Sequence, residues 1–202
     1  MPYSPSAIKS FIQLKASSKL MSGSKLPDMV AAISGAASQY ILSVSTVNST
    51  NIALGPGAGT QTGRITALVP TAMSSLMMLK SASLGLSGKD IKKFYDAVSF
   101  GIVNATKSIV MQGTIIGAGP GTGTGKIAGL VPKGLETLIW AQSTFRLLSG
   151  SKLRSMISCV AFGVCNHIMS TAVVTITNIG VAASPPIGPI LIPAAPGIGR
   201  LT

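Results

Sequence analysis

The sequence predicts a mainly α fold of three tandem helical-hairpin repeats, joined by Gly-rich extended connectors in a pseudo-threefold arrangement. A Gly-rich stretch occurs at residues 55–70, recurs at 117–132 and returns in shortened form at the C-terminus, where Gly199-Arg200-Leu201 matches Gly63-Arg64-Ile65. The segments between these copies align with one another without gaps, and their apolar residues recur with a helical period. Repetition and periodicity together predict the architecture.

The first helix of each unit is predicted to begin at a proline. When the Ser-Gly pairs at 22–23, 87–88 and 149–150 are superposed, Pro5, Pro70 and Pro132 coincide. Proline suits the first turn of a helix, because the amide that it lacks would have no helical partner there. Apolar residues follow at helical spacing, so we expect a helix of about fifteen residues that ends before each Ser-Gly pair.

A second, longer helix is predicted after each Ser-Gly pair. Its apolar positions, beginning at Leu26, Ile91 and Leu153, are spaced i, i+3, i+4, i+7 and i+11. One amide recurs near the end of each copy, at Gln39, Asn104 and Asn166. We expect these amides to be buried and to hydrogen-bond with one another or with the backbone, since buried polar groups find partners.

The segment after the second helix is predicted to be an irregular Thr/Ile/Val/Gly stretch that leads into glycines at alternate positions. In an extended chain such glycines leave one face without side chains, so another backbone can approach it closely. We expect this packing role at Gly57, Gly59, Gly119, Gly121 and Gly123. The third copy carries SPPIGPILIPAAPG instead, which predicts a sheet edge or a polyproline-like path.

These boundaries divide the chain into unit 1 at residues 1–70, unit 2 at 71–132 and unit 3 at 133–202. A pair of helices cannot bury its apolar faces alone, whereas three pairs that share a core can do so. We therefore expect one domain with a common core.

No enzymatic chemistry is predicted. The stretch before Lys126 differs from a phosphate-binding loop, because the required first glycine is Pro120 and Ile127 stands where Ser or Thr is needed. Cys165 and His167, two residues apart on a helix, point away from each other. We expect a buried, hydrogen-bonded histidine and no catalytic, cofactor or metal site.

Charge is scarce and strongly basic. Charged residues make up 10% of the chain and the net charge is +12, against about a quarter charged in ordinary soluble domains. A surface of this kind is normally covered by other molecules. Arg64, Lys126 and Arg200 follow the last glycine of each unit, and we expect them to meet an acidic partner. Nucleic acid is an alternative partner, but no binding motif or interleaved aromatic residue supports it.

A membrane-inserting pore or lysis protein is the main alternative function. The chain carries no formal charge between Asp28 and Arg64, or between Arg154 and Arg200, and both runs exceed the roughly twenty residues that span a bilayer. Serines and Gln39 interrupt the first run, however, and the apolar residues form a stripe, which favours a protein core. The N-terminus shows no secretory signal pattern.

The motif GPGTGTGKIAGLVP at residues 119–132 resembles a pattern in uncharacterised virion structural proteins of tailed bacteriophages, chiefly contractile-tailed ones. The resemblance covers units 1 and 2 and implies a structural protein of the tail, baseplate or neck. It implies no enzymatic residues, no cofactor and a place in the virion after assembly in the host cytoplasm. The implied partners are other virion proteins with acidic surfaces, and self-association is compatible with it. A packaged nucleic-acid-binding protein is a second alternative.

Overall fold

The computed structural model describes residues 4–53, 59–115, 122–127, 129–171, 173–178 and 195–201. The protein is mainly α. Its helices are α1 Pro5–Ser18, α2 Leu26–Val44, α3 Pro70–Ser83, α4 Ile91–Ser108, α5 Pro132–Phe145 and α6 Leu153–Thr171. Its strands are β1 Thr46–Ala53, β2 Gly59–Thr66, β3 Val110–Ile115, β4 Thr122–Ile127, β5 Val173–Asn178 and β6 Ala195–Leu201. The order of elements is thus two helices and two strands, three times in succession.

The odd-numbered helices begin at the prolines that the sequence indicates, at Pro5, Pro70 and Pro132. Each is 14 residues long. After α1, the Leu20 amide donates to Ser17 O and the Met21 amide donates to Ala16 O, which is the Schellman arrangement. The same pair of hydrogen bonds follows α3 and α5. The turn before each even-numbered helix is therefore fixed by backbone geometry.

The six helices form a closed ring, because each packs against the next along the chain and α6 packs against α1. The even-numbered helices are the more buried ones, and α4 also contacts both α2 and α6. Completely buried side chains from all three pairs, such as Ile33, Tyr95 and Val160, belong to one core. The described helices of all three pairs therefore share one core.

Below the helices, the six strands form a closed antiparallel barrel in the order β1-β2-β3-β4-β5-β6. The sequence predicts extended connectors after an irregular stretch. That irregular stretch is instead β1, β3 and β5 of the barrel, so this part of the prediction is wrong. These segments are rich in Thr, Ile and Val, and such β-branched residues favour a pleated sheet. Closure of the barrel gives every strand two neighbours and leaves no edge.

The edge expected in the third unit is likewise not found in the described residues. Strand β6 pairs with β1 on one side and with β5 on the other. Pro196 lies opposite Thr50 in β1, while β6 reaches β5 from Gly197 onward. The missing amide of this proline therefore falls at the end of the ladder with β5. Most of the proline-rich run, residues 184–194, lies outside the described part of the chain.

Chain direction places the two layers at opposite ends of the molecule. Each odd-numbered helix leads away from the barrel, and each even-numbered helix returns to it. Helix α2 contacts β6, α4 contacts β2 and α6 contacts β4. The helix-to-helix turns therefore form one end of the molecule, and the barrel lies at the other.

Candidate functional site

The three cations predicted to share a role lie at matching positions of the barrel. Arg64, Lys126 and Arg200 are in the second strand of each hairpin, near the helical layer. Each faces a polar residue of its own hairpin: the pairs are Arg64–Asn48, Lys126–Gln112 and Arg200–Thr175. Arg64 is exposed to solvent, whereas Gly63 beside it is buried. Strand β2 therefore turns its cation outward and its glycine inward.

The glycine face of β2 points into the barrel. In β2, Gly63 and Ile65 are buried while Thr62 and Arg64 are exposed. Cross-strand pairs share a face, and Gly125 lies directly opposite Gly113. An eight-stranded barrel is just wide enough for its interior side chains, so a six-stranded one leaves room for fewer atoms.

Of the five predicted packing glycines, two lie in described strands of the barrel and three lie outside the described residues. Gly59 and Gly123 lie within β2 and β4, where the close backbone approach was expected. Gly57, Gly119 and Gly121 lie outside the described residues.

The prediction of three buried amides is wrong in one unit and incomplete in the others. Gln39 is exposed, because it lies on the side of α2 that faces away from the core. Asn104 and Asn166 are half-buried, and each donates from Nδ2 to the carbonyl four residues earlier, at 2.8 Å. These two amides bond the backbone of their own helix and do not form a cluster.

His167 has a structural position. Its imidazole is fully buried, and Nε2 accepts a hydrogen bond from the Ser4 backbone amide at 3.1 Å. The Tyr40 hydroxyl accepts the Val69 amide at 2.9 Å in the same manner. Tyr40 and His167 occupy matching positions in units 1 and 3, and Val69 and Ser4 occupy matching positions just before α3 and α1. Each side chain therefore accepts a hydrogen bond from the amide that precedes an odd-numbered helix. Burial lowers the pKa of His167 and favours the neutral acceptor.

The two cysteines are unsuited to nucleophilic chemistry. Cys159 and Cys165 are buried and not disulfide-bonded. Burial raises the pKa of Cys165 to about 12 and also raises that of Cys159. A thiolate is the reactive form of cysteine, so both thiols remain protonated and behave as core side chains.

A charged cluster that the sequence analysis did not single out joins units 2 and 3. Asp96 on α4 accepts hydrogen bonds from Lys92 at 2.9 Å, from Arg146 at 3.3 Å and from the Ser74 hydroxyl. Burial alone would raise the pKa of Asp96, but the Ser74 hydrogen bond and the two cations together lower it. This carboxylate stays ionised and ties α3, α4 and the end of α5 together.

The helix-to-helix turns surround an apolar depression at the free end of the helical ring. It has a volume of about 490 Å³. Its walls are mainly apolar side chains from all three turns, among them Met21, Met29, Phe94, Leu148 and Met156. A second depression beside it shares Met21, Met29 and Ile91. Apolar surface therefore continues across this end of the molecule.

Two leucines at these turns have an unfavourable backbone conformation. Leu20 and Leu147 follow α1 and α5 with φ of 51° and 56°, and Gly85 occupies the matching position after α3 with φ of 66°. The left-handed region costs a residue other than glycine about 1–2 kcal/mol. Both leucines are also exposed, at 86% and 85%. Their conformation was not predicted from the sequence, although glycine at the matching position of unit 2 is a visible signal.

Comparison with protein-family models, curated proteins and solved structures finds no match to this chain. The described residues contain no group of three or more His, Cys, Asp or Glu side chains that could hold a metal ion. Among the described helices, none is both long enough and apolar enough to cross a membrane.

Proposed function

We propose that this protein is a non-enzymatic structural component of a large symmetric assembly, a tail, baseplate or neck protein of a bacteriophage virion. The chain acts in it as three units, 1–70, 71–132 and 133–202, arranged about a pseudo-threefold axis around one core. Arg64, Lys126 and Arg200 bind acidic surfaces of neighbouring virion proteins. The observation that carries the proposal is the matching strand register around the barrel.

The register supports threefold equivalence at each junction. Within the hairpins, Arg64 pairs with Asn48 and Lys126 with Gln112. Between hairpins, Arg64 pairs with Val110 and Lys126 with Val173, in each case the residue two positions before the polar partner of the next hairpin. Val47 pairs with Gly199, and extending this antiparallel register by one residue would place Thr46 opposite Arg200, as the same rule requires. Three unrelated hairpins would have no reason to share this stagger.

The helical layer supports the same arrangement through equivalent contacts between units. Gly163 lies against Ile12, and Gly101 lies against Ile139. Lys15 lies over the Phe162 ring, and Lys80 lies along Gly35. Gly35 and Phe162 occupy matching positions in units 1 and 3, and Lys80 and Lys15 occupy matching positions in units 2 and 1. These contacts are the ones that a threefold arrangement of the units would produce.

Charge supports an acidic partner for the barrel cations. Four acids cannot neutralise sixteen Lys and Arg, and ion pairs in the described part of the chain involve Asp28, Asp90, Asp96 and Glu136, all of them in the helical layer or its turns. No described acid lies in the barrel. An exposed ion pair contributes only about 0–1 kcal/mol, whereas a desolvated pair at an interface contributes several times more.

The test is incorporation into particles. The wild-type chain and the Arg64→Glu/Lys126→Glu/Arg200→Glu variant are supplied during infection, and their copy number in purified virions is measured by quantitative mass spectrometry. The matched control is Lys25→Glu/Lys89→Glu/Lys152→Glu, which changes the net charge equally at exposed positions of the other end. We expect the barrel variant to be depleted at least tenfold and the control to incorporate normally.

Two results would overturn different parts of this proposal. If the wild-type chain is absent from purified particles, the virion role is wrong. If the barrel variant incorporates as the wild type does, the virion role stands and these three cations merely keep the protein soluble.

A further inference from the structure

We propose that the free end of the helical layer docks on the surface of an anionic phospholipid bilayer. This end, the hairpin-tip face, consists of the three equivalent segments 15–28, 80–93 and 142–155, which contain the helix-to-helix turns. Leu20, Leu147 and Phe145 enter the boundary between headgroups and acyl chains, and the surrounding lysines contact lipid phosphates. This inference is independent of the virion role, which concerns the barrel.

Large apolar side chains protrude from this face. Phe145 is 81% exposed, and Leu20 and Leu147 are more so. All three lie at the last residue of an odd-numbered helix or just after it. The left-handed backbone at both leucines would be relaxed by glycine, as at Gly85. Leucine at these positions therefore opposes folding, and among the described residues each of these side chains stays at least 85% exposed.

Cations surround these apolar side chains. The hairpin-tip face contains ten of the sixteen Lys and Arg but only Asp28 and Asp90 as acids. Those two acids are already paired, with Lys25 at 3.9 Å and with Lys93 at 3.1 Å. Lys89 and Lys152 are exposed and form no ion pair within the described residues. Lys92 and Arg146 also bind Asp96 at 2.9 and 3.3 Å, so ten cations against three acids leave an excess of seven positive charges around these apolar side chains.

A bilayer matches this surface better than an acidic protein does. Protruding leucine and phenylalanine within a field of lysines are the two components of interfacial membrane binding. The turns occur at the same position of each unit, so a flat partner meets all of them together. The apolar depression opens among the same turns, and an acyl surface would cover it. An acidic protein would use the lysines and leave the leucines without a role.

The experiment is vesicle flotation of the full chain. We expect it to float with vesicles of phosphatidylcholine and phosphatidylserine, and not with phosphatidylcholine alone. Raising the salt from about 0.1 M to about 1 M should release most of it, because the Debye length falls from about 10 Å to about 3 Å. Failure of the wild-type chain to float with the anionic vesicles would overturn the proposal. Retention on immobilised polyglutamate without flotation would do so too, and would assign the face to an acidic protein.

A glycine variant separates lipid contact from folding. Leu20→Gly/Leu147→Gly should bind anionic vesicles at least tenfold more weakly, with a thermal unfolding midpoint equal to or above that of the wild type. The matched control is Leu14→Ser/Leu79→Ser, which removes two leucines of 66% and 67% exposure from the helix flanks just outside the face. It should float as the wild type does. Undiminished flotation of the glycine variant would show that these leucines do not contact lipid.

Discussion

At the scale of single residues, buried polar side chains act as parts of the ring's seams. Tyr40 and His167 occupy matching positions on α2 and α6, and each accepts the amide that precedes the next odd-numbered helix in the ring. Ala105 stands at the third position and has no polar group to offer. A titratable imidazole at one seam therefore makes that seam sensitive to pH.

We expect the free energy of unfolding to fall as the pH drops below 6.5. Burial lowers the folded-state pKa of His167 from its ordinary value of 6.5, so its stabilisation is complete above that pH and is lost as the pH falls towards the folded-state pKa. For one proton the slope is at most about 1.4 kcal/mol per pH unit. Urea unfolding measured from about pH 8 to about pH 5 tests this.

The control for the histidine is His167→Gln, which keeps an acceptor but does not titrate. Its unfolding free energy should change little over the same range, because the lowered pKa of Asp96 places the other perturbed acid below this window. A wild-type pH dependence that persists in the glutamine variant would contradict the assignment to His167.

At the scale of elements, the helices cross most closely where glycine replaces a side chain. A Cβ added at Gly101 would lie 2.4 Å from Cγ1 of Ile139, and one at Gly163 would lie 2.3 Å from Cγ1 of Ile12. In the first unit the matching residue is Ala36, and its partner position holds Met77. Methionine is flexible, whereas isoleucine is stiff at χ1. Glycine is therefore found opposite the stiffer isoleucine, and alanine is found opposite the flexible methionine.

We expect Gly101→Ala to destabilise the protein by about 1–3 kcal/mol, since overpacking of a tight helix contact outweighs the gain in helix propensity. Gly134→Ala is the matched control, because no heavy atom lies within 4 Å of its Cβ position in α5. That variant should be unchanged or up to about 1 kcal/mol more stable. Equal unfolding midpoints for Gly101→Ala and the wild type would refute the tight packing of α4 against α5.

The helices were predictable from the sequence because their determinants are local. Pro5, Pro70 and Pro132 mark first turns, and the apolar period identifies the buried face. The barrel was not predicted, because strand pairing depends on residues far apart, such as Arg64 with Val110. Alternation of Thr and Gly in β2 and β4 indicated extended chain but not its partners. One interpretation of the proline-rich run placed it at a sheet edge, and a closed barrel has no edge strand.

The candidate surfaces were predictable in part. The equivalence of Arg64, Lys126 and Arg200 follows from the repeat alone, and the register agrees with it. The burial of Gln39 was misjudged, because alignment with Asn104 and Asn166 does not fix which side of α2 faces the core. The left-handed conformation of Leu20 and Leu147 was not predicted, because it depends on hydrogen bonds made after the helix ends.

At the scale of the whole molecule, the chain closes on itself. Helix α6 packs on α1, β6 pairs with β1, and His167 accepts the Ser4 amide. Under the proposed threefold arrangement, the seam between units 3 and 1 is equivalent to the seams within the chain. The position of the chain break would then carry no structural meaning.

Circular permutation tests whether the protein is a closed ring of three equivalent units. Thr202 is joined to Met1, and the chain is opened in turn at Gly23, Gly88 and Gly150, which are exposed residues at equivalent turns. We measure urea unfolding of the three permutants by circular dichroism. In a closed ring of equivalent units, all three permutants should fold with the wild-type helical signal and unfold in one cooperative transition. Their free energies of unfolding should agree to within about 1 kcal/mol. Permutants that lack the helical signal, or of which only one folds, would contradict a closed ring of three equivalent units.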